Sequence, residues 1–262
     1  MKYLLSRVYS RSIKMKRVRF IFFLPLCLIL QACSGLVPSG FPVASAIQPT
    51  TTPLNETVVF VGDSITAIWG EQADFTAHNN WINKGISGET STQLADRYQR
   101  DVVDLHPGTV HIVIGTNDVS PGWKLCDPFA RDRATATTPP GPAALKSLPE
   151  TCSNILYMLE TAKRNKIKVV IGTIPPWGCS DRPKCGLSIS DVSQKRYDRI
   201  AQLNSWIKTF AVEEGVTLVD YHTALTNAEG LHYAAGLTLD GIHPVAAGYA
   251  LMQPLVESAL DQ

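Results

Sequence analysis

Four short blocks in this chain carry residue types that together could perform acyl transfer. In order they are Gly62-Asp63-Ser64-Ile65-Thr66, Gly85-Ile86-Ser87-Gly88-Glu89-Thr90, Gly115-Thr116-Asn117-Asp118 and Asp240-Gly241-Ile242-His243-Pro244. A serine ester intermediate needs a hydroxyl nucleophile, donors aimed at the developing oxyanion, and a base held by an orienting acid. Ser64, the glycines of the second block with the Asn117 amide, and His243 with Asp240 could supply those parts in turn. Each block alone is a weak signal, because Gly, Asp and Ser are turn formers and a serine at such a turn is usually a helix cap. The completeness of the set carries the argument.

The local chemistry supports these roles. Gly62 permits a sharp turn between a β-branched run and Ser64, and a helix beginning there directs backbone N–H groups toward an anionic oxygen. Thr66 stands where the Gly-x-Ser-x-Gly elbow would need its second glycine, so the turn is of another type. His243 is the histidine with an acid three residues earlier in a Gly-containing turn, so Asp240 can hold one ring nitrogen while the other faces Ser64. His78, His106, His111, His222 and His232 lack that arrangement, and no His-x-x-x-His spacing indicates a metal. Asp63 and Asp118 read as residues that tie loops through backbone hydrogen bonds. Trp123 and Trp177, just past expected strand ends, are candidates to line an acyl or sugar pocket, with core or rim packing as the alternative.

These blocks need a scaffold, and the periodicity describes one. Thr57–Val61, Trp81–Ile86, Thr109–Ile114, Lys168–Ile174 and Val216–Val219 read as strands, several apolar on both faces as in a buried parallel sheet. Helical spacing marks Ser91–Leu105, Pro149–Asn165, Val192–Glu214 and a last helix from Pro244, as a first-turn proline, to about Leu260. The alternation predicts a doubly wound α/β/α sandwich, with the site beyond the carboxyl ends of the strands. Residues 119–150 are rich in proline without clear periodicity and should hang over that site.

In these four blocks the chain resembles the SGNH (GDSL-type) hydrolase superfamily, with Ser64, Gly88, Asn117 and His243 as the naming residues. The resemblance extends from about Val58 to Leu260. It implies an α/β fold, a three-layer sandwich on a five-stranded parallel sheet of flavodoxin-like type, and a serine esterase working through Ser64, Asp240 and His243 without a cofactor. It also implies an oxyanion hole formed by Ser64, Gly88 and Asn117. Glu89 stands where many relatives carry Asp. The family includes lysophospholipases, thioesterases and carbohydrate deacetylases, so substrate is left open. An O-acetyltransferase using the same machinery and a non-catalytic binding lipoprotein are the competing readings. No long apolar stretch in 119–150 marks a tunnel for a fatty chain, and Arg131 and Arg133 suit a polar rim. Short-acyl esters, small-molecule or glycan, are therefore the expected substrates.

The first 32 residues read as an export signal. Seven basic residues precede the apolar run Phe20–Leu30, which is shorter than the roughly 20 residues of a spanning helix. Leu30-Gln31-Ala32-Cys33 resembles a bacterial lipobox, which implies a lipid on Cys33, and Ser34 then favours the outer membrane, facing the periplasm or the cell surface. Met15 is an alternative start. The expected organisation is signal peptide 1–32, flexible tether 33–56 and hydrolase domain 57–262. Without the signal, 17 basic residues face 23 acidic ones, a net charge of −6 that offers no footprint for nucleic acid. Four cysteines follow Cys33, and an oxidising compartment points to two disulfides with three possible connectivities. Cys126 with Cys152, and Cys179 with Cys185, is the expected pairing, because each would close a proline-containing loop.

Overall fold

Five short runs of β-branched and apolar residues form one parallel sheet: β1 (Val58–Gly62), β2 (Trp81–Gly85), β3 (Thr109–Val113), β4 (Lys168–Gly172) and β5 (Thr217–Val219). The computed structural model describes residues 56–120, 125–126, 150–181, 185 and 194–262. The strand order is β2-β1-β3-β4-β5, with Val58 paired to Trp81 on one side and to Thr109 on the other.

Strand residues alternate between two cores, as the period of two requires. Val59, Val61, Val110, Ile112, Val169 and Ile171 face one apolar cluster. Helices α3 (Ser91–Asp101), α4 (Glu150–Arg164) and α5 (Gln194–Glu214) close it with Leu94, Ile155, Leu159, Leu203 and Ile207. Val58, Phe60, Val113, Val170 and Val219 face the other. Helices α1 (Ser64–Trp69), α2 (Ala73–Thr76), α6 (Tyr221–Leu225) and α7 (Ala246–Leu260) cover that side, with Trp69, Phe75, Tyr221 and Met252 buried against the sheet. The expected three-layer sandwich and its five strands are therefore present.

Local boundaries differ where tertiary contacts intervene. The segment expected as one helix from Ser91 to Leu105 ends at Asp101, and Val103–Leu105 is a separate 3₁₀ turn. Pro244 is not in the first turn of α7, as expected, but precedes its N-cap, Val245. Thr238 is the cause: it bridges to Pro244 and its hydroxyl donates to the His243 carbonyl at 2.8 Å, which holds that stretch outside the helix. The four-residue α2 and five-residue α6 are too short to produce a legible period.

Two disulfides join Cys126 to Cys152 and Cys179 to Cys185, with Cα separations of 5.2 and 5.9 Å. The first ties the segment after β3 to the start of α4. Helix α5 holds that segment as well, since Arg199 Nε donates to Val119 O at 3.0 Å and Gln202 Nε2 to Cys126 O at 3.1 Å. Residues 121–124 and 127–149 lie outside the described residues, as do the proposed signal, lipobox and rim arginines and all of the tether but Glu56.

Candidate active site

In a sheet of order 2-1-3-4-5 the chain winds in opposite directions from β1 and β3, which opens a crevice at their carboxyl ends. Ser64 follows β1 and Asn117 follows β3, so both stand at that crevice. The Gly88 turn follows β2 alongside.

Ser64 is placed by a close approach that only glycine allows. A Cβ on Gly62 would sit 2.1 Å from the Val113 carbonyl oxygen and 2.3 Å from Thr66 Oγ1. The strand can thus turn directly into α1, with Asp63 as its N-cap accepting from Ile65 N at 3.0 Å. Ser64 is the first helical residue, and no acceptor among the described residues takes its N–H. Burial pushes the Asp63 carboxyl up to about 6. The Ile65 N–H and the nearby Thr116 hydroxyl oppose that rise, although Thr116 is not in hydrogen-bond geometry with Oδ2. Asp118 adds to the rise and His243 opposes it.

His243 arrives from the segment before α7. Its Nδ1–H donates to Asp240 Oδ2 at 2.6 Å, which leaves the Nε2 lone pair to accept from the Ser64 hydroxyl at 2.8 Å. The other carboxylate oxygen of Asp240 accepts from the N–H groups of Ile242 and His243, both at 2.8 Å. Burial works against the Asp240 charge, but the hydrogen bonds from the His243 main chain and ring and from Ile242 outweigh it. Its carboxyl is held below the ordinary value. Gly241, at φ +79°, allows the tight loop that brings acid and base together.

Gly88 adopts φ +80°, which favours glycine, with nothing within 4 Å of where a Cβ would stand. Its N–H, like that of Ser64, has no acceptor among the described residues. Asn117 uses one amide hydrogen to reach Glu89 O at 2.8 Å, which leaves the second available. Ser64 N–H, Gly88 N–H and the second Asn117 amide hydrogen are thus donors without an acceptor among the described residues, each on a segment that follows a strand's carboxyl end.

Asp118 receives the Ser91 N–H at 3.0 Å, the Ser91 hydroxyl and the Thr151 hydroxyl at 3.1 Å. It ties the loop after β3 to α3 and α4. Trp177 is only 6 % exposed in the core, with the Arg196 guanidinium 4.1 Å from its ring centroid. Trp123 lies outside the described residues. Among the described residues no group of three or more His, Cys, Asp or Glu side chains is placed to hold a metal ion.

Two contributors escaped the sequence reading. Buried Thr238 accepts from Gly241 N at 3.0 Å and approaches Asp240 Oδ1 at 3.3 Å, bracing the acid–base loop. Its position two residues before an Asp-Gly turn was the available signal. Arg97 binds the Glu89 carboxylate from one turn and a half into α3, at a spacing with no local pattern to reveal it.

A parallel α/β sandwich with a serine, a histidine and a carboxylate in hydrogen-bonded sequence at its switch point defines an ester-hydrolase scaffold. The chain belongs to the GDSL-like lipase/acylhydrolase family, whose model matches residues 60–251, and is a carboxylic ester hydrolase. It is similar to an acetylxylan esterase from Geobacillus stearothermophilus, 28 % identical over 172 residues that span 65 % of this chain and 67 % of that one. A GDSL-like lipase structure from Bacteroides thetaiotaomicron is 30 % identical with a TM-score of 0.61, covering 79 % of this chain and 88 % of its own. A crystal structure of a Geobacillus stearothermophilus acetylxylan esterase shares the fold at 22 % identity and a TM-score of 0.54, over 78 % of this chain and 94 % of its own.

Proposed function

We propose that the chain is a serine esterase for short-acyl esters, with acetyl groups on carbohydrate as the first class to test. The observation that carries the mechanism is the Asp240–His243–Ser64 sequence of hydrogen bonds at 2.6 and 2.8 Å. The similarity to an acetylxylan esterase supports the acetyl and glycan part of the reading.

In this mechanism Ser64 Oγ attacks the ester carbonyl carbon as its proton passes to His243 Nε2. The carbonyl oxygen becomes an oxyanion that accepts from Ser64 N–H, Gly88 N–H and Asn117 Nδ2. The tetrahedral intermediate collapses, the C–O bond to the alcohol breaks, and His243 returns the proton to the departing alkoxide. Water then attacks the acyl-enzyme with His243 again taking the proton, and collapse frees the acid and restores the Ser64 hydroxyl. Asp240 holds the imidazole in the required tautomer and stabilises the imidazolium.

Labelling by a fluorophosphonate probe tests the nucleophile, with loss of labelling in Ser64→Ala expected. Hydrolysis across an acyl-length series, beside acetylated xylan, tests the substrate. Acetyl to butyryl esters should be turned over best, and a higher kcat/KM for palmitoyl esters or lysophospholipid would overturn the short-acyl reading. Product analysis with a sugar acceptor separates hydrolysis from acetyl transfer. The N-terminal signal and Cys33 support a periplasm-facing lipoprotein. Metabolic lipid labelling that is present in the wild type and lost in Cys33→Ser is the expected result.

A further inference from the structure

The turn that carries Gly88 has little packing of its own. Ile86, Ser87 and Gly88 are exposed, and within the turn the backbone is secured by Ile86 N to Gly62 O at 3.0 Å and Glu89 N to Ile86 O at 3.2 Å. Glu89 supplies the missing anchor. Its carboxylate turns inward and receives Arg97 Nε at 2.7 Å together with a second guanidinium nitrogen. Glu89 is 6 % exposed and Arg97 8 %. The same guanidinium donates to Asp101 at 2.9 Å, and Asp101 is also held by Arg100 at 2.8 Å. Burial works against the Arg97 charge, and its hydrogen bonds to Glu89 and Asp101 outweigh it.

The main chain of Glu89 reaches the other donor. Asn117 Nδ2 donates to the Glu89 carbonyl at 2.8 Å, which orients the amide and leaves its second hydrogen without an acceptor among the described residues. One residue therefore neighbours Gly88 in sequence, orients Asn117 through its carbonyl, and is pinned to α3 through its carboxylate. A buried ion pair is a weak source of stability, because desolvation of both charges offsets their attraction. A forked, two-point contact is a strong source of geometry.

We infer that the buried Glu89–Arg97 pair is a positioning device for the oxyanion hole, fixing Gly88 N–H and Asn117 Nδ2 together without touching substrate. The inference rests on the proposed role of those two donors. Their stabilisation depends on pointing at the oxyanion and not at the ground-state carbonyl, so displacement of the turn should act on kcat more than on KM.

The test uses the full chain with a chromogenic acetyl ester and a boronic acid that mimics the tetrahedral intermediate. Single replacements leave one buried charge unpaired and threaten folding. The double variant Glu89→Gln/Arg97→Met removes both, and Asp101 keeps Arg100. The expected result is a fall in kcat of about 10–100-fold with KM little changed, and a matching loss of boronate affinity. Glu89→Asp, which keeps the charge and a two-oxygen acceptor, should recover most of the rate. A kcat within about twofold of wild type in the folded double variant, or a lowered kcat with boronate affinity unchanged, overturns the inference. Asn117→Ala is measured alongside. If it retains full kcat, the oxyanion reading itself fails; if it loses rate while the double variant does not, only the positioning role of Glu89 fails.

Discussion

His243 Nε2 lies 2.8 Å from Ser64 Oγ across 179 residues of chain. The contact joins the first turn of α1, at the end of β1, to the loop that immediately precedes the last helix. Two close-packed features hold it there: Gly62, which lets the strand turn without a side chain in the way, and Thr238, which keeps the His243 loop out of α7. The contact is a product of the whole sandwich rather than of either segment.

Removing either partner of that contact should abolish ester hydrolysis. Ser64→Ala and His243→Ala are expected to lower kcat by at least ~10³-fold. Far-ultraviolet circular dichroism and the melting midpoint should stay close to wild type, because His243 is partly exposed and Ser64→Ala deletes one small polar atom. Asp240→Asn should be milder or comparable. Steady-state kinetics together with thermal melts check all three.

Asn117→Ala deletes a side-chain oxyanion donor and should cost about 10²–10³-fold in kcat with little change in KM. A parallel rise in KM would instead assign Asn117 to ground-state binding.

Thr238 should behave as a brace whose hydroxyl matters more than its bulk. Thr238→Val preserves the shape but loses the contacts with Gly241 N and His243 O. Slight misplacement of catalytic groups can cost as much as ~10²-fold, so a fall of roughly tenfold in kcat is expected. Thr238→Ser should recover most of it. The pH profile of kcat/KM should also change shape in Thr238→Val, because Asp240 and His243 lose their shared support.

Two fully buried groups set opposite pH dependences of stability. His111 on β3 is packed among Phe60, Trp69 and Tyr221, with the Tyr221 hydroxyl 2.9 Å from its Nε2. Burial pushes its pKa down to about 3 from 6.5. The unfolded chain therefore binds the extra proton first, and stability falls as pH drops from 6.5 toward 3. Asp63 has the reverse sign: its folded pKa of about 6 exceeds 3.8, so stability falls as pH rises through that window. Each effect is on the order of a few kcal/mol. Melting midpoints between pH 4 and 8 should show a shallower acid decline in His111→Phe. Asp63→Asn should lose the decline on the other side.

The Cys126–Cys152 bridge closes a 26-residue separation. Replacing both cysteines by serine should cost about 2–4 kcal/mol, a fall on the order of 10 °C in the melting midpoint. Cys179–Cys185, which closes a separation of 6, should matter less. Peptide mapping that joins Cys126 to Cys179 would contradict both statements.

Much of this architecture was legible because it is encoded locally. A strand buried on both faces announces itself by a β-branched run, as in Thr109–Val113 and Lys168–Gly172. The helices from Glu150 and Gln194 announce themselves by their apolar stripes, and the one from Ser91 by the Thr/Ser cap region before it. Ser64, Asn117, Asp240 and His243 stood out as candidates because their four short blocks occur together and in order, and Gly88 through the resemblance those blocks carry. The two disulfides agree with the pairing favoured from proline-containing loops, one of three that the four cysteines allowed.

What only the tertiary structure decided are the partners that come from distant elements. No pattern in the sequence pairs Glu89 with Arg97, buries His111 beneath Tyr221, or puts Trp177 under Arg196 in the core. Nor does Pro244 reveal that Thr238 will hold it outside α7, since proline is equally compatible with a first helical turn. Local preference is a property of one segment's dihedrals and faces. A side-chain partner depends on how strands order themselves across the sheet, and that ordering is set by burial of both its faces at once.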